Sequence, residues 1–108
     1  MGQREYLGAL ELLVLLAVMR TGRDASGIPI AREIQTASGR SVALGSIYTT
    51  LSRLERKGLL RSKLGTPTAQ RGGRAKAFFH LTDKGLEEVR DAQAALTSLW
   101  SGLAELQP

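Results

Sequence analysis

The run LGSIYTTLSRLERKGLL, residues 44–60, decides the fold of this chain. Leu44, Ile47, Leu51 and Leu54 recur at steps of 3, 4 and 3. That spacing makes one buried stripe and predicts a helix over residues 44–57, stopped by Gly58. Unrolled at about 100° per residue, the opposite half carries Gly45, Ser46, Thr49, Ser52, Arg53 and Arg56. Gly45 lets the backbone come close to a ligand. Ser46 and Thr49 lie toward the positive end of the helix dipole, where hydroxyls reach base edges or phosphates. Tyr48 on the shoulder has two readings, a hydroxyl contact to phosphate or a partly buried aromatic. Arg53 also has two: it reads guanine, or it pairs with Glu55 or Glu33. Arg56 and Lys57 are assigned to phosphates.

Upstream, YLGALELLVLLAVMR (residues 6–20) is apolar almost all round. Such a helix must be covered on every side, which a small domain can hardly do alone, so a partner chain is expected to share the task. Gly22 is placed to end it as a left-handed cap. Ser26 is the expected N-cap of a second helix, with Pro29 in its first turn. Ile28, Ala31, Ile34 and Gln35 sit at helical spacing, and Ser38-Gly39-Arg40 closes the element. The short connection over residues 38–43 suits a helix-turn-helix.

Downstream, residues 59–65 and 75–82 read as two strands, with Ala77, Phe79 and Leu81 on one face. Lys63 and Lys76 on this hairpin join the predicted DNA contacts. The connection between the strands holds Pro67, Gly72 and Gly73 beside Arg71 and Arg74. It reads as a flexible basic tip that lies along the phosphates or enters a narrow minor groove, and orders only on DNA. Thr82 can cap a last helix. Along that helix Val89, Ala92, Leu96, Leu99, Leu103 and Leu106 recur at steps of 3, 4, 3, 4 and 3, a short heptad pattern. It either packs inside the domain or forms a dimer seam with Leu7, Leu10 and Val14 of the first helix; the seam is the preferred reading. Trp100 flanks it. This side chain either packs on the first helix or, with its symmetry mate, borders a pocket for a flat aromatic or hydrophobic effector.

Charge agrees with this layout. The 108 residues carry 15 Lys+Arg and 10 Asp+Glu, a net charge of +5. Residues 40–76 hold nine basic side chains against Glu55 alone, between a balanced N-terminal third and an acidic C-terminal one. A cationic block of this kind is a solvated surface or a polyanion-binding face. There is no cysteine, and the single histidine, His80, cannot build a zinc site alone. No phosphate-binding loop, dinucleotide fingerprint or nucleophile elbow is present, so neither catalysis nor a cofactor is expected. The apolar run from Leu7 to Met19 contains Glu11 and is too short to span a bilayer. A soluble, cytoplasmic protein that binds no membrane is the expectation. Three helices and a hairpin with a basic tip predict a mainly α winged helix-turn-helix over residues 1–82. A C-terminal dimerisation helix is expected over residues 83–108.

Several segments together resemble the PadR family of bacterial transcriptional regulators. They are residues 7–15 (LGALELLVL), Ala31-Arg32-Glu33-Ile34, residues 44–59, residues 71–76 (RGGRAK) and residues 81–85 (LTDKG). The stretch from Tyr48 to Gly58 is the most specific. The resemblance implies a homodimeric winged-helix repressor of the short subgroup. Its C-terminal helix would pair with the first helix, and it would bind imperfect inverted repeats in double-stranded DNA near promoters. Some members respond to small aromatic or cationic compounds. Family members often have tyrosines in the second wing strand; Phe78 and Phe79 stand there in this chain, which removes any hydroxyl contact. The alternative function is a nucleoid-type winged-helix protein that binds nucleic acid without sequence preference.

Overall fold

A computed structural model describes residues 5–66, 76–103 and 105. The elements run α1 (Ala9–Thr21), a 3-10 turn (Gly22–Asp24), α2 (Gly27–Ser38), α3 (Leu44–Arg56), β1 (Leu60–Leu64), β2 (Ala77–Leu81) and α4 (Asp83–Trp100). The order is the expected one, and the fold is mainly helical with one antiparallel hairpin.

Each boundary has a local cause. Helix α3 ends in a Schellman motif: Gly58 N–H donates to Glu55 O (3.0 Å) and Leu59 N–H to Leu54 O (3.0 Å). Closing that loop puts Gly58 at φ +78°, a conformation that costs glycine nothing and a residue with a Cβ about 1–2 kcal/mol. Gly39 ends α2 in the left-handed region, and its N–H donates to Gln35 O (2.8 Å). Gly22 departs from the expected left-handed cap. Its φ is +64° but its ψ is −127°, and the chain continues into the 3-10 turn. Thr82 caps α4 by accepting from Gly85 N–H at 3.0 Å, and its own hydroxyl donates to Gly58 O at 2.6 Å.

The strands pair from Leu60↔Leu81 to Leu64↔Ala77. The hairpin is tied to the helices at its base: Phe79 N–H donates to Ala25 O (2.8 Å) and Thr82 N–H to Leu59 O (3.1 Å). At Gly85 the first turn of α4 crosses the Leu59 carbonyl so closely that a Cβ would collide with it. Glycine is therefore required there by contact rather than by dihedral.

One core joins all the helices: Val14, Leu15, Ala17, Val18, Ala25, Ile30, Ile34, Ile47, Leu51, Leu54, Leu59, Leu60 and Val89 are buried. Four expectations about it need correction. Leu44 does not belong to the buried stripe of α3, because it starts the helix and stays 39% exposed; Thr50 is buried instead. In α2 the inward positions are Ile30 and Ile34, while Ile28 in the first turn faces solvent. Val14 and Val89, assigned to a seam between protomers, are enclosed by the protomer's own core. Finally, α4 stops at Trp100, followed by Gly102 at φ +84°, so Leu103 stands beyond the helix and the heptad is cut short. Leu106 lies outside the described residues.

Val89 and Gly85 seat the first half of α4 against the winged unit, whereas residues 93–100 are exposed throughout. Leu96 (47%), Leu99 (76%) and Trp100 (51%) lie in that second half. Leu16 and Met19 keep one side of α1 open as well. Ala92 is half-buried, and Leu7 and Leu10 pack at the edge of the core.

Candidate nucleic-acid interface

The turn over residues 39–43 leads into α3 with Ala43 at the N-cap, which offers no side-chain acceptor. The first N–H groups of the helix are thus left for an outside partner, and an anion is the partner their dipoles favour. Ser46 lies one turn in and is exposed. Thr49 is exposed too, and its hydroxyl donates to Gly45 O at 3.0 Å. Gly45, Ser52, Arg53 and Arg56 complete the solvent face, as the helical unrolling required.

Gly45 is informative. An added Cβ there would meet no atom within 4 Å among the described residues, and its φ is not positive. Glycine within a helix costs about 0.5–1 kcal/mol relative to alanine, and no contact among the described residues explains that cost.

The packing of Tyr48 fits its second reading, a partly buried aromatic. It is 49% exposed, and its ring lies against Gly27 of α2, where a Cβ would overlap the phenol. Gly27 is therefore small because Tyr48 is there, a link the sequence did not reveal.

The cations of α3 are not equivalent. Glu33 pairs with Arg20 (3.2 Å), and Glu55 accepts from Ser62 Oγ at 2.6 Å. Neither holds Arg53, whose Nη1 lies 3.9 Å from Glu11 Oε2 while the side chain stays about half exposed. Among the described residues no carboxylate pairs with Arg56. Lys57, expected on phosphate, is instead engaged within the protomer: its Nζ donates to Glu11 Oε2 at 2.8 Å and lies 3.2 Å from Glu5.

Glu11 is the residue that the sequence reading passed over. It is buried on α1, and its other oxygen accepts from Gly8 N–H at 2.9 Å. Burial pushes its carboxyl pKa up. The hydrogen bonds from Lys57 and Gly8 and the charges of Lys57 and Arg53 outweigh that and hold it below the ordinary value. The same contact raises Lys57, against the effect of burial and with help from Glu5. The signal was available: a lone acid inside a thirteen-residue apolar run needs a cation beside it once the helix is buried.

On the hairpin, Lys63 is exposed, and the Lys76 ammonium lies 5.9 Å from the centre of the Phe78 ring. Arg71 and Arg74, with the tip that carries them, lie outside the described residues. A groove of about 790 Å³ runs between α1 and α4, lined by Leu12, Leu16, Met19, Leu96 and Trp100 among others. Among the described residues, no group of acidic and histidine side chains is arranged to hold a metal ion, and no helix is long and apolar enough to cross a membrane.

A helix-turn-helix with its second helix bare along one face, followed by a two-stranded wing, defines a winged-helix domain of the nucleic-acid-binding kind. The chain belongs to the transcriptional regulator PadR-like family, whose model matches residues 15–91. It is a transcriptional regulator of that family, and the family's members are not enzymes.

Solved structures agree in fold. A PadR family transcriptional regulator from Eggerthella lenta is 26% identical, with a TM-score of 0.71 over 92% of this chain and 81% of that one. A PadR-like transcriptional regulator from Bacillus cereus is 24% identical, with a TM-score of 0.62 over 88% and 94%. A PadR-like transcription factor from Bacteroides fragilis is 21% identical, with a TM-score of 0.71 over 91% and 89%. No curated protein matches the sequence.

Proposed function

We propose that this protein is a homodimeric repressor that binds an inverted-repeat operator and blocks transcription by occupying it. Residues 1–82 read the DNA, and residues 83–108 join the protomers. The observation that carries the reading is the solvent face of α3. Its uncapped N-terminus, Gly45, Ser46 and Thr49 present a close, hydroxyl-bearing surface to base edges, and Arg53 and Arg56 follow toward its C-terminal end. Tyr48, Lys63 and Lys76 contact phosphates at its margin, joined by Arg71 and Arg74 from the wing tip.

Pairing follows from the apolar surface that the protomer leaves open. Leu96 and Trp100 share a groove with Leu16 and Met19 of α1, Leu99 and Leu103 are exposed as well, and a second copy covers this apolar surface by twofold symmetry. Such a dimer sets two α3 helices in successive major grooves, about 34–36 Å apart. In that dimer Trp100 and its symmetry mate border a pocket for a small aromatic or hydrophobic effector, and quenching of Trp100 emission by a panel of aromatics tests it.

The function is tested by footprinting on the DNA upstream of the protein's own gene, with titration against random duplex. A protected palindrome bound about 10³-fold or more above random sequence is expected. Equal affinity for every duplex would identify the nucleoid-type alternative.

A further inference from the structure

We propose that Glu11 takes Lys57 out of contact with DNA, and thereby sets how many phosphates the end of the recognition helix engages. The inference rests on the DNA-binding reading above.

Lys57 follows Arg56 at the end of α3, where a lysine would ordinarily reach a backbone phosphate. Here its ammonium is held between two carboxylates of the N-terminal segment, Glu11 at 2.8 Å and Glu5 at 3.2 Å, with the side chain 30% exposed. The two anchors differ. Glu5 is 84% exposed and exchanges freely with water; the side chain of Glu11 is 7% exposed and has nowhere else to go. If Lys57 left for a phosphate, it would leave behind a buried anion with Gly8 N–H as a hydrogen-bond donor and Arg53 at 3.9 Å. A buried carboxylate stripped of its main cation is strongly unfavourable, so the phosphate does not win Lys57. Arg53 is bound more loosely and stays available to DNA.

Stability alone does not account for this arrangement, because apolar residues of similar volume commonly replace buried ion pairs at no loss. What the carboxylate supplies is a fixed negative charge at the end of the reading helix, cancelling one cation where sequence-independent attraction originates.

The test is the salt dependence of binding to a random duplex and to the operator. Each phosphate contact contributes about 0.9 to the log–log slope. Glu11→Gln is expected to steepen the slope by about 0.9 and to tighten random-duplex binding several-fold at low salt. Glu87→Gln on α4 changes the net charge equally and should leave the slope alone; a matching effect would overturn the proposal. Adding Lys57→Gln to Glu11→Gln should restore the wild-type slope.

Should Glu11→Gln fail to fold, single variants in the otherwise native protein decide. Lys57→Gln leaves the slope unchanged while Arg56→Gln lowers it by about 0.9; an equal drop for both overturns the proposal. A normal wild-type slope that Glu11→Gln does not steepen refutes this inference alone. A wild-type protein with no salt-dependent duplex binding refutes the DNA-binding reading, and the inference with it.

Discussion

Gly45→Ala separates what α3 needs for folding from what it needs for binding. The methyl group would point into open space, with no neighbour among the described residues within 4 Å. Nothing in the fold opposes it, and the unfolded chain loses backbone freedom. The substitution should therefore stabilise the protein by about 0.5–1 kcal/mol. For a domain of this size that raises the melting temperature by roughly 2–8 °C, readable by circular dichroism. Binding should move the other way. A methyl group placed where the DNA backbone or a base edge approaches costs contact along the N-terminal turn, and a ten-fold or greater loss of operator affinity is expected, about 1.4 kcal/mol. The two measurements use one variant and must have opposite signs. A destabilised protein would refute the local geometry at Gly45. A stabilised protein with unaltered operator affinity would refute the placement of this turn against DNA.

Leu96→Glu should dissociate the proposed dimer: it forfeits about 1 kcal/mol of burial per protomer and adds carboxylate desolvation of about 2 kcal/mol. Repeated by symmetry, this weakens association by roughly 10⁴-fold, and light scattering at micromolar concentration would see a monomer; a persistent dimer would place the interface elsewhere. Glu11→Gln should lower stability at neutral pH by about 1–3 kcal/mol. Because the folded carboxyl titrates below its ordinary value, its contribution is present above the unfolded pKa and lost as pH falls through the folded one. The wild-type advantage should therefore shrink on acidification, and a constant gap in urea midpoints from pH 7 to pH 3 would contradict the ion pair. Lys57, titrating above its ordinary value, places the matching loss at the alkaline end. Gly85→Ala should destabilise by about 1–3 kcal/mol, since its methyl meets the Leu59 carbonyl rather than a yielding side chain; a neutral effect on thermal melting would contradict that crossing.

The helix-turn-helix and its wing are legible in the sequence because their signals are local. The stripe of Ile47, Leu51 and Leu54, the stop at Gly58 and the alternation of Ala77, Phe79 and Leu81 depend only on neighbours along the chain. The exposed half of α3 follows from the same periodicity, and all six of its residues are where the unrolling put them. The errors arise where periodicity says that a residue is apolar but not what covers it. Val89 shares a spacing with Leu96 and Leu99, yet it closes the protomer's own core, as Val14 does from α1, while the two leucines remain outside.

Sequence by itself determined the elements, their order and the charge that gathers on the middle of the chain, because helix stripes, strand alternation and glycine stops are written within a few residues of one another. Tertiary structure decided which of two neighbouring cations is paired among the described residues. Arg56 and Lys57 are adjacent and chemically alike, but an acid 46 positions away holds one of them and not the other. A pairing over that distance exists only once α1 has been packed beside α3, and the cost of a bare buried carboxylate then fixes it.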